Sequence, residues 1–151
     1  MNKNVLTQYL DMKEEIKDIR ERIKKLEKEI DKLEGVADTV KGTRLDGTYG
    51  VIKVEGYPTP LYYRKKNLLD RYKQQLEEKE VELLALTIEV EEFVTRIEKS
   101  DLRLMARLYF IDGYSWVTVA HKLNNKFPHR NKPYTEDGCR MRMNRFLDLE
   151  N

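Results

Sequence analysis

The chain has 151 residues, of which 37% are charged and 40% hydrophobic, and its formal net charge is +2. That length allows one or two small domains, and that balance fits helices with narrow apolar seams better than one thick core. No window approaches the ~18 apolar residues of a membrane span, and the opening MNKNVLTQYLDMKEEIKD lacks the apolar stretch of a signal peptide. The single cysteine, Cys139, excludes an intramolecular disulfide and suits a cytoplasmic setting. A charge of +2 is too small to imply nucleic acid, so its distribution has to be followed along the chain.

From Val5 to Leu33 apolar residues recur alternately four and three positions apart: Val5, Tyr9, Met12, Ile16, Ile19, Ile23, Leu26, Ile30 and Leu33. This predicts a coiled-coil-like helix over about 3–34. Nine basic and nine acidic residues flank the seam between Lys3 and Glu34. The stem is therefore electrically neutral, with solvated charged faces.

Between Gly35 and Pro60 the pattern breaks, leaving 35–59 as a connector. GVADTVKGTRLDGTYGVIKVEGYPTP is rich in Gly and Pro and holds one alternating run, Tyr49–Val54, of strand or hairpin-arm character. No Gly-Lys-Ser/Thr follows its glycines, so it is no phosphate loop. It reads as a surface connector.

Thr59-Pro60 then opens a second long helix over about 60–98, with Thr as cap and Pro in the first turn. Its seam runs Leu69, Tyr72, Leu76, Lys79, Leu83, Leu86, Val90, Phe93 and Ile97. Lys79 interrupts it, an intrusion that costs stability but sets register. Two helices joined by a connector long enough to return the chain predict an antiparallel hairpin over 1–99. Leu84 and Ile88 lie beside the seam, which favours self-association, most simply as a dimer.

Residues 100–151 change character. Ser100 is placed to cap a helix over about Leu102–Ile111, with Asp101 in its first turn and Gly113 as the left-handed residue beyond its end. Ser115 caps a short helix with Val119, Ala120 and Leu123 on one face, ended by Asn124-Asn125. Thr135 caps a third helix, with Glu136 and Asp137 in its first turn, where the helix dipole favours negative charge. Cys139, Met143, Phe146 and Leu147 define its buried side. Between Gly113 and Leu147 seven basic residues face two acidic ones, the local footprint of a DNA-binding module. The fold class is all-α: a helical hairpin followed by a three-helix helix-turn-helix domain.

SWVTVAHKL, a loop, and TEDGCRMRMNRFLDL resemble region 4 of sigma-70-type factors and the related regulators of Gram-positive phages. In that family a small aliphatic residue and Ala pack beneath a recognition helix of the form S/T-x-x-x-V-x-x-R-x-x-R. Val119-Ala120 and Thr135, Cys139, Arg142 and Arg145 stand in those places. More loosely, the whole chain resembles the RinA and ArpU type of prophage late-gene activator, with a charged helical half and a sigma-like tail. The resemblance implies a phage or prophage transcription regulator in the bacterial host cytoplasm, binding double-stranded DNA and contacting RNA polymerase. One departure is the connector Asn125–Tyr134, longer than the roughly three or four residues usual for this turn.

On that reading Glu136, Asp137, Arg140, Met141 and Asn144 face the base edges, Arg140 suiting guanine and Asn144 suiting adenine or a phosphate. Arg142 and Arg145 hold backbone phosphates, joined by Lys126, Arg130 and Lys132 from the loop and by Thr135 at the helix start. Trp116, Tyr109, Phe110 and Tyr114 read as core anchors. Nothing points to catalysis: no nucleophile–base grouping occurs, and no cofactor cradle. His121, His129 and Cys139 are too few and too irregularly spaced for a zinc site. A second reading shares the architecture: the small terminase subunit of phages, a ring-forming DNA-packaging protein that joins a helix-turn-helix to oligomerisation helices.

Overall fold

A computed structural model describes residues 3–37, 40–43, 49–52 and 59–150. Helix α1 spans Lys3–Ala37 and α2 spans Pro60–Arg96; between them Val40–Thr43 (β1) pairs antiparallel with Tyr49–Ile52 (β2). Gly42 stands opposite Gly50 in this ribbon. The alternating run was thus one arm of a hairpin, and its continuation at 53–54 lies outside the described residues. Short helices follow: α3 at Ser100–Ala106, running on into a π-helical turn at Arg107–Ile111, then α4 at Trp116–Lys126 and α5 at Glu136–Leu149. The expected architecture, a helical hairpin followed by a helical domain, is the one present. None of the described helices is long and apolar enough to cross a membrane.

Contacts divide the chain into two compact units. The unit formed by residues 15–80 is a pair of helical arms with the ribbon at their end. Ile19, Ile23, Leu26 and Ile30 pack with Leu69, and Tyr62, Tyr72 and Leu76 close over them. Each such fully buried aliphatic side chain contributes roughly 1.5–3 kcal/mol. Ion pairs join Glu29 to Lys65 at 3.1 Å, Glu27 to Lys73 at 3.5 Å and Arg20 to Glu80 at 2.7 Å. Falling numbers on α1 meet rising numbers on α2, so the arms are antiparallel. Lys79, the interruption in the seam, is half-buried with its ammonium 3.7 Å from Glu15. Solvent-screened pairs of this kind add little to stability; the apolar seam holds the arms.

The other unit joins residues 1–14 to 81–151. Leu6 and Tyr9 of α1 and Val90, Phe93, Val94 and Ile97 of α2 share one core with Leu102, Met105, Val119, Leu123, Cys139, Met143 and Leu147. Leu6 and Val94, at 2% and 0% exposure, stand one position beside the expected seam. They widen its buried stripe where the short helices pack.

The caps explain where most elements begin. The Thr59 hydroxyl accepts from the Tyr62 amide at 3.2 Å ahead of Pro60, as expected. Ser115 accepts from Thr118 at 3.4 Å and Thr135 from Gly138 at 3.1 Å, each answering an amide that lacks a partner within its helix. The expectation for Ser100 needs correction. The cap position is held by Lys99, without a side-chain cap bond, and Ser100 is already helical. The Asp101 carboxylate accepts from the Leu102 amide instead. At the other end of α3 the chain widens by one residue per turn: the Asp112 amide reaches the Arg107 carbonyl, five residues back. Gly113, at φ +75°, then turns the chain in the left-handed region. Lys13 of α1 donates to the Phe110 and Ile111 carbonyls at 3.1 and 2.8 Å, placing a cation where the helix ends.

Candidate nucleic-acid interface

The helix α5 is anchored by one face. Cys139, Met143 and Leu147 are buried at 1%, 1% and 7% exposure, and Phe146 is half-buried against Phe93. Residues 139, 143 and 147 recur every fourth position, so the far side of the helix is fixed by geometry. Glu136, Asp137, Arg140, Met141 and Asn144 are all exposed there. Arg140 is not idle: it donates to Asp137 at 2.9 Å, one turn back. That pairing holds the guanidinium along the helix surface.

Gly138 lies in the first turn of α5, and its lack of a side chain has a local reason. A Cβ there would sit 2.8 Å from the Thr135 hydroxyl oxygen, the atom that caps the helix. Any larger residue would push the cap aside.

The long connector between α4 and α5 has a definite shape because two side chains hold it. The Asn124 amide donates to the Tyr134 carbonyl at 2.9 Å, and its oxygen accepts from the Tyr134 amide at 2.7 Å. This side chain imitates a neighbouring strand. Asn124 does not end α4, which continues to Lys126; it grips the approach to α5 from within the helix.

The second holder is Asp101, the one buried charged residue among those described. Its carboxylate accepts from both terminal nitrogens of Arg142, from the Tyr134 hydroxyl at 3.0 Å, and pairs with Arg130 at 2.8 Å. The bond from Arg142, aided by Tyr134 and the Leu102 amide, holds the Asp101 carboxyl down at about 2 against the opposing effect of burial. The Arg130 guanidinium also lies over the Tyr134 ring, 4.6 Å from its centre. Burial, then the adjacent Asp101, pushes the Tyr134 phenol upward. Asp101 thus ties α3, the loop and α5 together.

The residues expected at phosphates therefore divide. Lys126, Lys132 and Arg145 are exposed, as are Thr135 at its cap and Arg130 in its ion pair. Arg142 differs: half-buried and gripped on both prongs by Asp101, it braces α5 from the side. Nothing in the sequence pattern distinguished it from Arg145; an acid at the start of an apolar helix was the available signal.

The aromatic residues also divide. Phe110 is buried, and Trp116 stacks on Tyr109 at 3.9 Å with planes 10° apart, as anchors do. Tyr114 does not follow that expectation. It is 39% exposed beneath the Lys122 ammonium, 4.7 Å from the ring centre. His121 and His129 are exposed, and no group of three metal-ligating side chains forms among the described residues. The Cys139 thiol is pushed up by burial, which disfavours the reactive thiolate. No family model, curated protein or solved structure matches the chain.

Proposed function

We propose that the protein is a sequence-specific DNA-binding transcription regulator of phage or prophage origin, reading the major groove with α5. One observation carries this reading. Asp137, Arg140, Met141 and Asn144 form an exposed stripe of helix, while a capped start and a buried opposite face hold that helix rigidly. Lys126 at the end of α4, Arg130 and Lys132 between α4 and α5, and Arg145 on α5 itself are exposed cations suited to backbone phosphates. A recognition helix needs this combination of rigid seating, free polar edge and flanking positive charge. The resemblance to sigma region 4 adds RNA polymerase as a proposed second partner and the bacterial cytoplasm as the setting.

Self-association belongs to the same proposal. Val81, Leu84 and Ile88 are 67%, 63% and 55% exposed on α2 and recur at three-four spacing, leaving an apolar stripe uncovered. A dimer would present two recognition helices to paired half-sites. The small terminase subunit remains the competing reading, since it shares both the DNA-binding helix and the oligomerising stem. Selecting bound fragments from random duplex DNA, with mass measured by light scattering on the same sample, separates them. A regulator yields a defined motif and a dimer, with affinity falling steeply as salt rises, at a log–log slope of about −0.9 per phosphate neutralised. A large ring favours packaging, and indifference to duplex DNA at low salt ends both readings.

A further inference from the structure

A hollow of about 550 Å³ lies between the end of α2, the start of α3 and one flank of α5. Its volume falls within the range of roughly 300–1,000 Å³ that accepts a discrete ligand or a large side chain. The floor is apolar: Phe93, Ile97 and Leu102 are buried, and the Phe146 ring stands 6.1 Å from that of Phe93. Leu149 forms a lip that is 85% exposed, at the far end of α5 from the Thr135 cap.

The rim is basic. Arg96, Lys99 and Arg145 surround the opening, with Arg142 behind them committed to Asp101. Lys99 and Arg145 have no side-chain ion pair or hydrogen bond among the described residues, and Arg96 only leans toward the exposed Glu92 at 3.8 Å. Glu98 and Glu150 also line the hollow, so the three cations not bound to Asp101 face two anions. The arrangement asks for negative charge around an apolar centre.

We propose that this hollow docks an acidic peptide segment carrying one bulky apolar anchor. The anchor enters over Phe93, Ile97 and Phe146, against Leu149, while flanking carboxylates meet Arg96, Lys99 and Arg145. A DNA backbone would satisfy the cations and leave the floor unused. A wholly apolar partner would cover the floor but strip water from the cations without recompense. Only a segment that combines both features uses the whole site. The site lies along the 142, 145 and 149 flank of α5, beside the stripe at 137, 141 and 144, and it needs no DNA to be occupied.

The test uses the full-length protein without DNA, so its failure is separable from failure of the DNA-binding reading. A short fluorescein-labelled peptide of alternating Glu and Asp with one central Trp is titrated by fluorescence anisotropy. Saturable binding is expected, weakened about tenfold, or 1.4 kcal/mol, by Leu149→Asp and by Arg145→Glu. Both side chains are exposed, so helicity by circular dichroism should stay unchanged. Replacing the peptide's Trp with Ala should weaken binding to a similar degree. Lys66→Glu, a charge reversal on the other compact unit, should leave it unaltered. Undetectable binding overturns the proposal. So does indifference to Leu149→Asp or to loss of the Trp, or an equal effect of Lys66→Glu, which would reveal charge attraction alone.

Discussion

Arg142 grips both carboxylate oxygens of Asp101, a residue 41 positions earlier in the chain. The pair joins the first short helix to the candidate recognition helix, and Arg130 and Tyr134 bind the same carboxylate. One acid therefore sets how three segments meet.

Asp101→Asn should lower the stability of the C-terminal helices by about 2 kcal/mol. That is below the ~3–5 kcal/mol of a pair wholly shut from water, because Arg130 and Arg142 remain 48% and 31% exposed. The acid limb of the stability curve gives the second readout. The carboxyl titrates near ~3.9 when unfolded and at about 2 when folded. Its contribution is therefore present above about pH 4 and disappears as the pH falls toward 2. Thermal melts across that window should steepen for the natural protein and flatten for Asp101→Asn.

Arg140→Ala and Arg145→Ala should separate in DNA binding, once a preferred site has been selected. Loss of Arg140 should cost roughly 1–3 kcal/mol at one base pair and relax preference there. Removing Arg145 should weaken specific and random duplexes alike and reduce the salt slope. Arg142→Ala should behave as neither, losing thermal stability together with affinity. Equal losses for Arg140→Ala and Arg145→Ala on both kinds of DNA would refute this division of roles.

Leu84→Glu combined with Ile88→Glu should convert an associated protein to monomer while leaving its helicity intact, because both side chains are exposed. Ile23→Asp should act differently. At 9% exposure Ile23 lies in the seam between α1 and α2, so its replacement should unfold the helical arms. Light scattering and circular dichroism on the two variants distinguish surface association from internal packing.

Met143→Ala should destabilise by about 2–5 kcal/mol, since the side chain is 1% exposed and its removal leaves a cavity beneath α5. Thr135→Ala should cost only about 1 kcal/mol, the value of a cap. Chemical denaturation would order the two.

Most of the helical framework was legible because period and caps are local signals. The heptad of α1 survives as buried Tyr9, Met12, Ile16, Ile19, Ile23, Leu26 and Ile30, and the Thr59, Ser115 and Thr135 caps stand where their residue types place them. The exposed stripe of α5 followed from its buried one. What escaped the sequence depends on long-range meetings. Asp101 looks like any first-turn acid until Arg142 arrives from another helix. Asn124 looks like a helix breaker until its amide finds Tyr134. The π-helical turn before Gly113 has no residue signature, and Tyr114 has the composition of a core anchor without its burial.

The Asn124 clasp has a consequence for how this region can diverge. Because the chain is fastened by Arg130 on Asp101 and again at Tyr134 immediately before α5 begins, the short arc at 131–133 is relieved of setting the distance between the two helices. Residues could be added to or trimmed from that arc while the helix seating stayed as it is. The arc is thus a place where the chain could change in length, and acquire new contacts, without disturbing the helices on either side.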